Sequence, residues 1–222
     1  MPGTKKVIIS GGGTGGHVFP ALAIAQALQR LAPEIDILFV GAKGKLEMEK
    51  VPKAGFPIEG LWISGLQRKL SVRNLLFPFK LISSLWKSRQ ILRRYQPDAV
   101  VGVGGYASGP LLEMAMRRNI PGLIQEQNSF PGITNRLLAK KVDRICVAFE
   151  DMERFFPLEK LVVTGNPVRR DLANSRDQKQ VGRRHFGLDP EKPTLLIVGG
   201  SLGARSLNVA MQQSDSLWRR HK

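Results

Sequence analysis

Short runs of aliphatic and β-branched residues recur along this chain, and each runs into a turn or loop that opens a helical stretch. Val7–Ser10 leads to a helix from about Val18 to Leu31, and Ile35–Val40 to a charged helix near Leu46–Lys53. Ile58–Ile63 leads through a basic loop to a long helical stretch near Val72–Tyr95, which Pro78 should kink or restart because proline has no N–H to donate. Ala99–Val103 precedes Ser108–Arg118, and Gly122–Gln125 precedes Gly132–Lys140. Arg144–Val147 precedes a short helix and then Leu161–Thr164. Such alternation predicts an α/β fold, a Rossmann-like parallel sheet with helices on both faces. Ligands of open parallel sheets sit at the C-terminal strand ends. The two turns richest in glycine, Gly11–Gly16 and Gly102–Gly109, fall at such ends.

Residues 166–193 interrupt the pattern: they are rich in Arg, Asp, Gln and Gly and lack an apolar period. Thr194–Val198 then reads as a fresh strand opening a second unit, followed by the turn Gly199–Arg205 and a helix. The chain stops soon after, in the basic tail Leu217–Lys222. One βα unit cannot bury its own apolar face. A C-terminally incomplete second unit with exposed apolar surface is therefore expected.

Charge narrows the partners. Thirty-four Lys and Arg stand against 18 Asp and Glu, a net charge of +16, so an anionic partner is expected. Cys146 is the single cysteine, which excludes a disulfide framework; it lies in an apolar strand and is expected to be buried and inert. No signal peptide is evident, and no apolar run is long enough to span a bilayer. No Asp-x-Asp pair and no His/Cys cluster appears, so no metal site is expected.

The first turn, Gly11-Gly12-Gly13-Thr14-Gly15-Gly16-His17, fits G-x-G-x-x-G. Glycines allow close backbone approach, and a helix start offers N–H groups and a positive dipole end to a diphosphate. A nicotinamide enzyme would also place an acid at the end of the second strand for the ribose. That strand ends Phe39-Val40-Gly41-Ala42-Lys43, without one. His17 directly after the turn either packs at the helix start or acts as a general base. The second turn, Val101–Pro110, repeats the design and reads either as a second anion site or as a glycine corner for close packing. Gln125–Gly132 can hold sugar hydroxyls or form a solvated loop. Arg169 can reach a phosphate across a cleft or lie on the surface.

Residues 66–96 carry eight basic residues (Arg68, Lys69, Arg73, Lys80, Lys87, Arg89, Arg93, Arg94) and no acid. At helical spacing, Leu75, Phe79, Ile82 and Trp86 form one apolar stripe and Leu81, Leu85 and Leu92 another. A surface helix needs one stripe for its core. The second can dock on an anionic membrane interface, or the two can form one wide core face. The aromatics are not interleaved as base-stacking platforms, so nucleic acid is not expected.

Five motifs stand in one order between about Val7 and Asn208: Gly11–Ala21, Gly102–Pro110, Gln125–Asn128, Gly165–Arg169 and Gly199–Asn208. Together they resemble the MurG family, the bacterial peptidoglycan N-acetylglucosaminyltransferases; residues after Asn208 do not. The resemblance implies a GT-B fold, two Rossmann-like domains facing across a cleft. It implies inverting transfer of N-acetylglucosamine from UDP-GlcNAc to the muramoyl 4-hydroxyl of the undecaprenyl-diphosphate-linked muramoyl-pentapeptide lipid I, giving lipid II at the cytoplasmic face of the cell membrane, with no cofactor. Residues 1–165 would be the acceptor and membrane domain, and 166–222 a linker and the first βα unit of the donor domain. By that resemblance His17 is the general base. Thr14, Gly15, Gly16, Asn128, Arg169 and Ser201 are donor-binding. Gly104, Gly105, Tyr106, Ala107, Ser108 and Glu126 meet the acceptor. Leu75, Phe79, Ile82, Trp86, Arg73 and Lys80 form the membrane patch. The competing expectation is a non-catalytic module that binds anionic membrane or lipid diphosphate.

Overall fold

The computed structural model describes residues 4–65, 75–169, 178–199 and 204–214. β-strands that begin at Lys6, Asp36 and Arg144 run from a charged edge into buried aliphatic residues. In order the elements are β1 (Lys6–Ser10), α1 (Gly15–Leu31), β2 (Asp36–Ala42), α2 (Glu47–Lys53), β3 (Ile58–Leu61) and α3 (Phe77–Tyr95). There follow β4 (Ala99–Gly102), α4 (Ser108–Met116), β5 (Gly122–Glu126), α5 (Ile133–Leu138), β6 (Arg144–Val147) and β7 (Leu161–Val163). Only a 3₁₀ turn, Leu158–Lys160, stands where a short helix is expected before β7; Pro157 sets its start.

The strands form one parallel sheet in the order β3-β2-β1-β4-β5-β6-β7. Side chains alternate across each strand, so two cores form. Ile8 joins Leu38, Leu61, Ile91, Leu111 and Ile124 on one face. Val7 and Ile9 join Val18, Leu22, Phe39 and Phe56 on the other. The strand order reverses between β1 and β4, and the crevice beyond that reversal is where such sheets bind ligands. Ser10 pairs with Gly102 at the ends of these strands, and the Val103 N–H donates to the Ser10 carbonyl at 2.7 Å. The two glycine turns therefore leave the sheet side by side.

In α3, Pro78 stands in the first turn, where its missing N–H costs no bond, so the helix starts at Phe77. The two stripes separate as their spacing implies. Leu92 is buried and Leu81 packs against the core. Leu75, just ahead of the helix, and Phe79, Ile82 and Trp86 are 72%, 66%, 65% and 63% exposed. Arg73, expected beside them, lies outside the described residues. No helix among the described residues is long and apolar enough to cross a membrane.

Residues 1–173 and 174–222 are two compact units. In the second, α6 (Lys179–His185) and α7 (Arg205–Gln213) are the described helices. The expected strand Thr194–Val198 does not form: these residues are irregular, and Leu195, Leu196, Ile197 and Val198 are all exposed. A strand needs a neighbour to take its N–H and C=O groups, and among the described residues none is paired to it. Ser201 lies outside the described residues.

Candidate active site

Thr14 takes an extended conformation (φ −143°, ψ 162°) and stands as N-cap of α1. The helix therefore starts at Gly15 rather than near Val18, and His17 sits inside its first turn. Val18, Ala21, Leu22 and Ala25 point into the core, which fixes the helix rotation and leaves His17 and Pro20 beside the strand ends. Pro20 has no N–H to return to the Gly16 carbonyl four residues back, so that carbonyl lacks its regular helical partner. A cavity of about 420 Å³ opens here, lined by Thr14, Gly16, His17, Pro20, Gln127, Asn128 and Asn166. It is large enough for part of a nucleotide sugar.

The two turns interlock. A Cβ on Gly105 would meet the backbone of Gly12, so only glycine permits the approach. Gly104 has φ +85°, and a Cβ there would stand 2.8 Å from His17 Nδ1 and Cε1. The imidazole therefore lies against the second turn. Its Nδ1 is enclosed and has no hydrogen-bond partner, and the His17 side chain lines the cavity.

The residues expected to meet the acceptor are closely packed in the fold. Gly104 and Gly105 pack against His17 and the first turn. Ala107 is buried, and the buried Ser108 hydroxyl donates to the Gly105 carbonyl at 2.9 Å, closing the turn. Tyr106 alone presents a side chain, 50% exposed, its ring tip over Gly65. Glu126 is 1% exposed and accepts four bonds: from Asn128 N–H at 3.1 Å, Asn128 Nδ2 at 3.0 Å, Gly132 N–H at 3.1 Å and Asn135 Nδ2 at 2.9 Å. A carboxylate so occupied shapes the 126–132 loop from within and has no oxygen left for an acceptor. Through it Asn128 is held at the cavity wall.

Gln127, unassigned from the sequence, lines the cavity and donates from Nε2 to the Val103 carbonyl at 3.0 Å, tying the β5 loop to the second turn. The Asn166 Nδ2 donates to the Gln127 carbonyl at 3.3 Å. The Arg169 guanidinium stacks on Phe19, 5.3 Å from the ring centre, which holds it near the head of α1. Glu47 is a second residue that sequence patterns do not single out. It is 1% exposed, and its carboxylate accepts from Gly13 N–H at 2.8 Å and Ala42 N–H at 2.9 Å. The only sequence hint is an acid at the head of a helix that follows a basic turn, which is common at helix starts.

Away from the cavity, Lys80 donates to Ser64 Oγ at 2.9 Å and stands over the Trp62 ring. Arg89 and Arg93 are exposed further along α3. Cys146 on β6 is half-buried rather than fully buried, and burial pushes its thiol pKa up.

Comparison with known proteins gives a consistent set. Residues 7–147 match the glycosyltransferase family 28 N-terminal domain. The chain is 54% identical over 216 residues to a UDP-N-acetylglucosamine–N-acetylmuramyl-(pentapeptide) pyrophosphoryl-undecaprenol N-acetylglucosamine transferase of Cytophaga hutchinsonii, covering 96% of this chain and 58% of that protein. It is 56% identical over 213 residues to the protein of the same description from Phocaeicola vulgatus, covering 96% and 57%. Among solved structures it is similar to MurG of Acinetobacter baumannii, with TM-score 0.70, 33% identity and coverage of 94% of this chain and 57% of that one. A UDP-GlcNAc 2-epimerase of Neisseria meningitidis shares the fold at TM-score 0.63 and 14% identity. The chain thus spans little more than half the length of these curated relatives.

Proposed function

This chain belongs to glycosyltransferase family 28, and from that premise we propose that it supplies the acceptor-side half of an inverting N-acetylglucosaminyltransferase of peptidoglycan synthesis. The donor is UDP-GlcNAc and the acceptor the muramoyl 4-hydroxyl of an undecaprenyl-diphosphate-linked muramoyl-pentapeptide. Residues 1–165 form the acceptor and membrane domain, and 166–222 lead into the donor domain. The observation that carries the reading is His17: its imidazole lines the cavity at the head of α1, with Nδ1 enclosed against Gly104.

Nε2 takes the proton of the acceptor hydroxyl as its oxygen attacks the anomeric carbon. The bond from that carbon to the diphosphate oxygen breaks, and uridine diphosphate leaves with the electron pair. Attack opposite the leaving group inverts the carbon. The N–H groups of Gly15 and Gly16 at the positive end of α1 stabilise charge growing on the leaving group, with the Arg169 guanidinium beside them. Thr14, Gly15, Gly16 and Asn128 hold the donor sugar and diphosphate. Ser201, which lies outside the described residues, is a further donor-binding candidate by the same resemblance.

The exposed stripe Leu75, Phe79, Ile82 and Trp86, with Arg89 and Arg93 beyond it, supports peripheral docking on an anionic membrane at its cytoplasmic face.

The test is a transfer assay with labelled UDP-GlcNAc and a lipid I analogue. The 222-residue chain is compared with a version extended by a complete second domain. Activity in the extended form supports the reading. There His17→Ala should lower the rate about 10²–10⁴-fold. A loss below roughly tenfold would remove His17 as the base. Activity in neither form would favour the non-catalytic membrane-binding module.

A further inference from the structure

The sequence pattern of the first glycine turn suggests that its own backbone cradles a phosphate. The structure shows that part of the turn is already occupied. Glu47 reaches from α2 across the end of β2, and its two carboxylate oxygens take the N–H groups of Gly13 and Ala42 at 2.8 and 2.9 Å. The carboxylate fills the space above Gly12 so fully that a Cβ there would fall within it, and Gly41 is glycine for the same reason. The side chain is 1% exposed. A charge removed from water this far is retained only where strong donors meet it, and two backbone N–H groups do so here.

The head of α1 is built differently. The first N–H groups of a helix lack intrahelical partners, and the N-cap side chain normally takes one of them. Thr14 makes no such bond. The donor at Gly13 is thus taken by an internal anion, while those at Gly15 and Gly16 are not taken by the cap.

We propose that Glu47 is a positioning residue that acts as the resident anion of the first glycine turn. It holds the turn in shape and directs an incoming diphosphate to the head of α1 beside His17. In dinucleotide-binding sheets the same corner, between the glycine turn and the end of the second strand, receives the pyrophosphate and the ribose-binding acid. Here the Glu47 carboxylate fills it. A ligand phosphate against Gly13 would meet that negative charge, so the site takes a nucleoside diphosphate from the helix side only. The directing role rests on the proposed nucleotide-sugar reading of the cavity; the anchoring of the turn does not.

The experiment uses the ¹⁵N-labelled 222-residue chain, with inorganic pyrophosphate and uridine diphosphate as probes. Backbone amides are followed by NMR during titration and by hydrogen exchange without ligand. In the wild type, Gly15 and Gly16 amides should move with the probe while Gly13 and Ala42 stay fixed and exchange slowly. In Glu47→Gln one of the two N–H groups faces an amide NH₂ instead of an oxygen. Exchange at Gly13 or Ala42 should then speed up about tenfold or more. Glu47→Ala should release both. A Gly13 amide that follows the probe along the same saturation curve as Gly16 would overturn the proposal, and this result needs no variant. Unchanged Gly13 and Ala42 exchange in a folded Glu47→Gln chain would overturn it equally. If the exchange pattern holds but no amide at Gly15 or Gly16 responds to either probe, the anchoring by Glu47 stands and the diphosphate reading of the cavity falls.

Discussion

Replacing Gly104 by alanine combines two costs at one position. The first is conformational. At φ +85° the Cβ of an L-residue costs about 1–2 kcal/mol. In a domain of this size each kcal/mol lowers Tm by about 2–4 °C. The second is local. The new Cβ would stand 2.8 Å from His17 Nδ1 and Cε1, about 0.6 Å inside the 3.4 Å at which ordinary contact begins. The imidazole must give way, because the atoms on the other side of the contact are backbone. Catalytic groups tolerate displacements of only about 0.5 Å, and an error near 1 Å can cost about 10²-fold. Gly44 provides the control: it has φ +70°, and a Cβ there would have nothing within 4 Å, so its alanine variant carries the first cost alone. Thermal unfolding of the 222-residue chain should show similar Tm losses for Gly104→Ala and Gly44→Ala. Transfer by the version extended with a second domain should fall at least about tenfold in Gly104→Ala and stay near wild type in Gly44→Ala. Equal activity in the two variants would refute the placement of His17 against the second turn as a requirement for catalysis.

Three further outcomes follow from the geometry. Phe19→Leu removes the ring beneath Arg169 and should weaken uridine diphosphate binding by about two- to fivefold, the worth of an exposed cation–π contact, while Phe19→Trp retains it; isothermal titration checks both. Ile82→Glu and Trp86→Glu should each sharply reduce co-sedimentation with vesicles containing anionic phospholipid while changing stability by no more than about 0.5 kcal/mol, because both side chains are already in water; wild-type binding should weaken with added salt. Glu113 on α4 has its carboxyl held below the usual carboxylate range, first by the hydrogen bond from Lys141 and then by that from Arg117. A depressed folded-state value means that these contacts stabilise the fold above the unfolded pKa and lose that contribution as pH falls through the folded one. Glu113→Gln should therefore lower Tm near neutral pH and converge with wild type only in acid, once the carboxylate is protonated in the fold as well; parallel curves over the whole range would refute the assignment.

The strand runs, the turn glycines and the 3.6-residue stripes are local patterns, and they carried most of the architecture. Val7–Ser10, the alternating faces around Ile8, and the separation of Leu75, Phe79, Ile82 and Trp86 from the Leu81–Leu92 stripe follow from spacing, because a helix or strand presents its residues at fixed angles, while which stripe is left exposed does not. The same local logic failed at Thr194–Val198, where an apolar run has no neighbouring strand among the described residues to pair with. It could mark His17 as unusual but not say what encloses its ring. Gly104 does so from 87 positions away, through a parallel pairing of β1 and β4 that only the folded sheet creates. Two carboxylates show the limit most clearly. In sequence, Glu126 stands in a polar run that suits a ligand and Glu47 in a helix start that suits solvent. In the fold each is buried and consumed by backbone and amide donors, Glu126 shaping the loop that carries Asn128 and Glu47 filling the corner of the first glycine turn. What a charge does depends on which donors surround it once water is excluded, and those donors come from segments that only tertiary packing brings together.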